Sequence, residues 1–154
     1  MKTINPDYVA AVKKIVNPCP YFTLLSMELK NVEWGESLLE IVVQEKHLQP
    51  FGIAHGGVFA SLLDAAAFWA SYCQVPKEVG MTTVEMKINY LAPISTGRMI
   101  AKGRGIRAGK TLCLADASIQ NEAGTLLAHG TATMMILKDM KMEVPSGWPP
   151  KFLP

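Results

Sequence analysis

Asp64 is a single acidic residue within a long apolar run, and its carboxylate is well placed for chemistry. The run begins at His55-Gly56-Gly57 and reads HGGVFASLLDAAAFWASYC as far as Cys73. Its length and apolar content predict one helix of about five turns, which the core must bury. A carboxylate held there can attack an electrophilic carbon or take a proton from a water molecule.

The two glycines at the start of this helix add a second chemical element. Gly56 and Gly57 leave the first backbone N–H groups uncovered, and these groups carry the positive end of the helix dipole. A carbonyl oxygen placed there would meet fixed donors while it gains negative charge. One such donor typically accelerates acyl transfer by about 10² to 10³.

The spacing of these two elements predicts a site built from two copies of the chain. Asp64 lies seven residues beyond Gly57, which corresponds to roughly 10 Å along a helix. One helix therefore cannot direct both groups at the same carbon atom, whereas two helices packed antiparallel can. We expect a homodimer at minimum.

The neighbours of Asp64 on a helical wheel are small or partly polar. Those within about 60° of it at helical spacing are Gly57, Ala60, Ser61, Ala67, Phe68 and Ser71. Bulkier residues such as Phe59, Leu62 and Trp69 are expected on the other side. Such a stripe suits close approach of a ligand or a second subunit. The alternative is a structural carboxylate satisfied by hydrogen bonds inside the core.

The rest of the chain predicts an antiparallel sheet around this helix. Asn5-Pro6-Asp7 has the residue types of a helix start, and Asn17-Pro18 ends that amphipathic segment. Strands are predicted at residues 25–32, 37–43, 84–90, 97–107, 110–120 and 125–137. One long apolar helix accompanied by five or six strands must be covered by their sheet, which defines an α+β fold.

Composition restricts the remaining classes. The 154 residues predict one domain, with an N-terminal helical extension (1–20) and a C-terminal arm (139–154). A net charge of +2 argues against a nucleic-acid binder. Three cysteines without C-x-x-C spacing disfavour disulfides and zinc, and favour the reducing cytoplasm. An acid at mid-helix opposes membrane insertion by about 2.5–3.5 kcal/mol, so we expect no membrane association.

Four segments together resemble the hotdog-fold acyl-CoA thioesterases, in particular the phenylacetic-acid-degradation type, which is related to 4-hydroxybenzoyl-CoA thioesterases. The most specific is QPFGIAHGG at 49–57 followed by Asp64, and the others are MKINYLAP at 86–93, GKTL at 109–112 and GTLLAHG at 124–130. The resemblance covers roughly residues 22 to 137. It implies a hotdog fold and hydrolysis of a small or medium, possibly aromatic, acyl-CoA.

The resemblance also implies roles for individual residues. Gly56 offers its N–H to the thioester oxygen, and His55 shapes and polarises that end of the site. Gln49 positions the attacking group. Asp64 of the neighbouring subunit is the nucleophile or general base, and Thr83 orients water.

Further implied contacts concern the substrate. Gly57 and Phe68 would contact the substrate, and Arg104, Arg107 and Lys110 would meet the phosphates of coenzyme A, which their charge and donor groups suit. Coenzyme A would be part of the substrate, with no cofactor and no metal. The resemblance further suggests a homotetramer, arranged as a dimer of dimers.

Two competing functions remain open on the sequence. One is a hotdog protein that binds acyl-CoA without turnover, and the other is an enoyl-thioester hydratase or dehydratase. Serine and zinc hydrolysis have less support, because G-x-S-x-G and H-E-x-x-H are both absent from the sequence.

Overall fold

A computed structural model of the protein describes residues 2–76 and 79–154. Within these ranges the chain forms three α-helices, one 3₁₀ turn and six strands. In chain order they are α1 (Pro6–Val16), α2 (Pro20–Leu25), β1 (Met27–Glu33), β2 (Glu36–Val42), the 3₁₀ turn (Glu45–His47), α3 (Gly56–Tyr72), β3 (Gly80–Tyr90), β4 (Arg98–Ala108), β5 (Leu112–Gln120) and β6 (Leu126–Leu137).

The six strands form one antiparallel sheet in the order β1-β2-β4-β5-β6-β3. Helix α3 contacts all six of them and runs through the centre of the core. It approaches the sheet closely at Gly103, where a Cβ atom would lie 2.1 Å from the Ala66 carbonyl oxygen. The Ser37 hydroxyl donates to the same carbonyl oxygen at 2.7 Å. The predicted α+β architecture, a sheet wrapped around a long helix, is confirmed.

Several predicted boundaries were wrong. Residue 25 ends α2 rather than opening a strand, because Pro20 starts a second short helix that Ser26 terminates in the left-handed conformation (φ 50°). The loop before α3 contains a 3₁₀ turn that the sequence did not reveal. Strand β3 begins at Gly80, four residues before the predicted start, and its register shifts between Thr83 and Glu85.

The two ends of the chain meet beside the C-terminus of α3. Ile4 and Phe152 form an antiparallel bridge, and the Asn5 N–H donates to the Lys151 carbonyl at 3.0 Å. Asn5 also caps α1 by accepting from the Asp7 N–H, as its residue type predicted. The N-terminal helix is part of the core, since Tyr8, with the rest of its inner face, is buried.

Within residues 2–76 and 79–154, no helix combines the length and apolar character that a membrane span requires.

Candidate active site

The start of α3 is held by a side-chain cap. His55 precedes the helix in an extended conformation, and its Nδ1 accepts the Gly57 N–H at 2.8 Å. An accepting Nδ1 carries no proton, so the ring proton sits on Nε2. The expectation that both glycine amides are uncovered is thus half wrong, because the chain itself uses that of Gly57. No hydrogen bond occupies the Gly56 N–H within the described residues.

Tyr90, at the end of β3, lies beside this free amide. A Cβ atom on Gly56 would come within 3.4 Å of the Tyr90 ring and 3.6 Å of its hydroxyl oxygen. The ring packs edge-on against Phe59, with centroids 6.0 Å apart, yet it stays 56% exposed. No role was predicted for Tyr90, because its place in an alternating strand indicated only a half-exposed residue.

The Asp64 side chain is half-buried and makes one hydrogen bond with the residues that the structure describes. Its Oδ1 accepts the Thr83 hydroxyl at 2.7 Å, a contact that joins α3 to β3. No Lys, Arg or His side chain within the described ranges lies at ion-pair distance from Asp64. The carboxylate is therefore oriented by a neutral donor, and its charge is not neutralised by a structural ion pair.

Asp64 faces a cavity of about 550 Å³, a volume typical of ligand pockets. The cavity lies between the N-terminal segment and α3, with β3 and the C-terminal arm adding one methionine each. Its lining residues are Ile15, Val16, Cys19, Tyr21, Phe22, Met27, Ala60, Ser61, Asp64, Ala65, Phe68, Trp69, Met86 and Met142. Trp69, expected on the opposite side of the helix, thus borders the same cavity as Asp64.

The structure divides the predicted site residues into two groups. Asp64 and Phe68 border the cavity, and Thr83 bonds to Asp64. Gln49, His55, Gly56 and Gly57 do not border it. Because Gly56 is eight residues before Asp64 on one continuous helix, roughly 12 Å separate them along its axis.

Gln49 belongs to the tight loop that leads into the helix. Its side-chain Oε1 accepts the Phe51 N–H at 2.5 Å, and its backbone N–H donates to the Ile53 carbonyl at 2.8 Å. The carboxamide is therefore turned toward its own loop. Phe51 at the tip of the loop is 91% exposed.

The predicted basic residues occupy different environments. Arg104 makes a two-point ion pair with Asp116, at 3.1 and 2.7 Å, on the outer face of the sheet. This pair borders a second cavity of about 550 Å³ that includes Lys102 and His129 but none of the predicted catalytic residues. Arg107 and Lys110 are exposed near the β4–β5 turn, and neither makes an ion pair within the described residues. No group of three or more potential metal ligands occurs in the same ranges.

Comparison with known proteins identifies the family of the chain. The thioesterase superfamily matches residues 51–128, which span the end of the loop, α3, strands β3 to β5 and the start of β6. A 1,4-dihydroxy-2-naphthoyl-CoA hydrolase of Listeria monocytogenes is 31% identical over 118 residues, covering 76% of this chain and 95% of that protein. Acyl-coenzyme A thioesterase 13 of Mus musculus is 32% identical over 126 residues, covering 79% and 89% respectively.

A solved structure shows the same fold. The crystal structure of a thioesterase from Haemophilus influenzae superimposes with a TM-score of 0.81 at 17% identity, covering 93% of this chain and all of that one. The fold and the acid-bearing central helix define a hotdog-fold protein. The chain belongs to the thioesterase superfamily, and it is a thioester hydrolase.

Proposed function

We propose that the protein hydrolyses acyl-CoA thioesters with small or medium, including aromatic, acyl groups, and that Asp64 is its nucleophile or general base. One observation carries the proposal. Asp64 has no ion-pair partner among residues 2–76 and 79–154, is oriented by Thr83 and borders an apolar cavity large enough for a ligand. The relatives named for CoA thioesters support coenzyme A as the leaving group. No cofactor or metal is proposed.

The lining of the cavity supports this acyl class. Phe22, Phe68 and Trp69 offer aromatic surface to an acyl group. The three methionines of the lining are flexible side chains that adapt to acyl groups of different shape. Asp64 is the only charged side chain among the lining residues. An acyl group that itself carries a carboxylate would be repelled by Asp64 and would find no cation among the lining residues. Uncharged acyl groups are therefore favoured.

The reaction follows from the two halves of the site. The thioester carbonyl oxygen accepts from the Gly56 N–H at the positive end of α3, where negative charge is stabilised as it develops. In one route the Asp64 carboxylate attacks the carbonyl carbon, the C–S bond breaks, and coenzyme A leaves as its thiolate. Water then hydrolyses the resulting anhydride. In the other route Asp64 takes a proton from water as that water attacks the carbonyl carbon directly, the C–S bond then breaks, and coenzyme A leaves as its thiolate.

A second copy of the chain is proposed to supply the Gly56 amide, since one helix keeps it roughly 12 Å from Asp64. Strand β3, which holds Thr83, is an edge strand of eleven residues. Its free edge bears exposed apolar side chains such as Val84 and Tyr90. An edge of this kind is a template for pairing with another strand. Pairing of two β3 strands would bring the two central helices side by side, and two such dimers would give the expected tetramer.

The primary test replaces Asp64 and follows thiol release from a panel of acyl-CoAs. Asp64→Asn keeps the size of the side chain and the bond to Thr83 but cannot act as a base or as an effective nucleophile. We expect kcat to fall by about 10² to 10⁴, the usual range for a positioned base. Asp139→Asn, an exposed carboxylate in the C-terminal arm, serves as the matched control. Undiminished turnover by folded Asp64→Asn would refute the proposal.

Isotope labelling in a single turnover in H₂¹⁸O detects the covalent route. If water opens the anhydride at the Asp64 carbonyl carbon, the ¹⁸O atom stays in the Asp64 carboxylate, and label there identifies attack by Asp64. Direct attack by water, or opening of the anhydride at the acyl carbonyl carbon, places the ¹⁸O atom in the acid product. Mass spectrometry of the protein and of the product measures both.

Co-expression of two inactive variants tests the shared site. Gly56→Pro removes the proposed N–H donor at the first helical position, where proline is tolerated. The preceding residue, His55, already has the extended ψ of 140° that proline requires. Mixed dimers of Gly56→Pro and Asp64→Asn would contain one intact site and regain partial activity. No regain from verified mixed dimers would place both groups of a site in one chain.

A further inference from the structure

The cavity beside Asp64 has two facing walls, and one hydrogen bond joins them. Tyr21 stands on the N-terminal wall, in α2, and Ser61 stands on the α3 wall. The Tyr21 hydroxyl lies 2.7 Å from the Ser61 Oγ. We refer to this contact as the Tyr21–Ser61 bridge.

The direction of the bridge follows from the partners of Ser61. The Ser61 hydroxyl also lies 2.9 Å from the Gly57 carbonyl oxygen, which can only accept. Serine has a single hydroxyl hydrogen, so it donates to Gly57 and accepts from Tyr21. The phenol thus donates into a short chain of hydrogen bonds that ends on the backbone of α3.

The bridge lies close to the candidate catalytic acid. Ser61 precedes Asp64 by three residues, which is nearly one helical turn and roughly 4.5 Å along the axis. The Tyr21 ring therefore bounds the cavity about one helical turn from Asp64. An acyl group that reaches Asp64 enters this space.

Packing alone does not fix Tyr21. Its side chain is 54% exposed, whereas the next residue, Phe22, is 8% exposed and anchors α2 in the core. Helix α2 is six residues long and has no side-chain cap at its N-terminus. The hydrogen bond to Ser61 is therefore the contact that holds the Tyr21 ring at the edge of the cavity.

We propose that Tyr21 is a specificity-determining residue that, tethered by Ser61, limits the length of the acyl group accepted beside Asp64. The inference rests on the proposed function, because it assumes that this cavity holds the acyl group. It assigns a role to the N-terminal helical segment, which borders the site as well as completing the core.

The experiment compares kcat/KM for hexanoyl-, octanoyl-, decanoyl- and dodecanoyl-CoA in four proteins. These are the wild type, Tyr21→Ala, Tyr21→Phe and Leu24→Ala. Leu24 is the matched control, since it is an exposed residue of the same helix (63%) that does not border the cavity. Each methylene that gains a buried site is worth about fourfold in affinity.

Tyr21→Ala is expected to raise the dodecanoyl-to-hexanoyl ratio of kcat/KM at least tenfold. Tyr21→Phe keeps the ring without the tether and should give a smaller shift in the same direction, whereas Leu24→Ala should match the wild type. An unchanged ratio in folded Tyr21→Ala overturns the proposal. A Tyr21→Phe profile identical to that of the wild type overturns the role of the hydrogen bond.

Binding measurements separate this inference from the proposed function. The same acyl-CoAs are titrated calorimetrically into Asp64→Asn and into Asp64→Asn combined with Tyr21→Ala, so that the comparison needs no turnover. A shift of the preferred length in Kd supports Tyr21 as the limit even if Asp64 proves not to be the catalytic acid. Identical length profiles in Kd refute the limit even if Asp64→Asn abolishes hydrolysis.

Discussion

The Thr83 hydroxyl donates to Asp64 Oδ1 at 2.7 Å, and a bulge in β3 makes this contact possible. The register with β6 slips between Thr83 and Glu85, so that Val84 is displaced and 51% exposed. An extra residue of this kind redirects the side chains on either side of it. Thr83 and Met86 therefore face α3, although strict alternation would place Thr83 and Met86 on opposite faces.

Thr83→Val is expected to lower kcat by about ten- to a hundredfold, because a hydrogen bond to a charged group is worth roughly 1.5–3 kcal/mol. Valine has nearly the same shape and leaves the carboxylate without its orienting donor. KM should change much less, since Thr83 does not border the cavity. Steady-state kinetics on one acyl-CoA measure both constants. Thr83→Ser, which keeps the hydroxyl, should retain most of the activity, and an equal loss in both variants would contradict an orienting role.

The sequence predicted the long helix, its glycine entrance, the acid and the antiparallel sheet, because each of these leaves a local pattern. It did not predict the bulge at Val84, which arises from pairing with β6 rather than from residue type. It also missed α2, a six-residue helix too short to show a periodic pattern. Tyr21 therefore went unnoticed, as only its distant contact with Ser61 reveals it. Such contacts between elements far apart in the chain carry no local signal.

The basic residues near the β4–β5 turn are expected to differ in their contribution to KM. Arg104 is already paired with Asp116, and this contact raises the pKa of its guanidinium through the hydrogen bond and the opposite charge. Arg107 and Lys110 have no such competing partner among the described residues. We expect Arg107→Ala and Lys110→Ala to raise KM for acyl-CoA several-fold, and Arg104→Ala to have a smaller effect.

The matching substrate for this test is the acyl-pantetheine thioester, which lacks the nucleotide and its phosphates. The KM for acyl-pantetheine should be the same in Arg104→Ala, Arg107→Ala and Lys110→Ala. Added salt should weaken the effect on acyl-CoA, because exposed charges are screened. If KM for acyl-pantetheine rises equally, these residues do not recognise the phosphates.

His47 is expected to make the stability of the protein depend on pH. Its ring is buried; Nδ1 accepts the Gln44 N–H at 3.0 Å, while Nε2 donates to the Leu25 carbonyl at 2.8 Å. Burial lowers the pKa of His47 from its usual 6.5, and the charge of Lys46 lowers this pKa further. The hydrogen bond to Leu25 raises the pKa and so offsets part of the decrease. The unfolded chain therefore binds the proton more readily. The stabilisation is complete above about pH 6.5 and is lost as the pH falls through the folded-state pKa.

Urea unfolding between pH 8 and pH 5 measures this dependence. His47→Gln keeps a donor and an acceptor but does not titrate, so its free energy of unfolding should decline less steeply than that of the wild type. His129→Gln, on the outer face of the sheet, is the control for a histidine outside the core. If the free energy of unfolding declines with falling pH equally in the wild type and in His47→Gln, His47 is not the source of the pH dependence. Protonation of His47 should also disturb the start of α3 in the candidate active site, because the His47 carbonyl accepts the N–H of the capping residue His55 at 2.8 Å.

Lys151 is expected to be the main attachment of the C-terminal arm to the central helix. It is 2% exposed, and its ammonium group donates to the Tyr72 carbonyl and, at 2.6 Å, to that of Val75. It also lies 4.1 Å from the centroid of the Tyr72 ring. A positive charge at the C-terminus of α3 interacts favourably with the helix dipole. Lys151→Met keeps most of the side-chain volume but leaves these carbonyl groups without their charged donor.

We expect Lys151→Met to lower the free energy of unfolding by about 2 kcal/mol or more, since hydrogen bonds from charged groups are worth roughly 1.5–3 kcal/mol each. Lys141→Met, an exposed lysine of the same arm, should change it by less than about 0.5 kcal/mol. Urea denaturation gives both values. Because Met142 of the arm borders the Asp64 cavity, Lys151→Met should also raise KM for acyl-CoA. Equal stabilities of the two variants would mean that the arm is held by Trp148 and Phe152 instead, through their contacts with Tyr8 and Trp34.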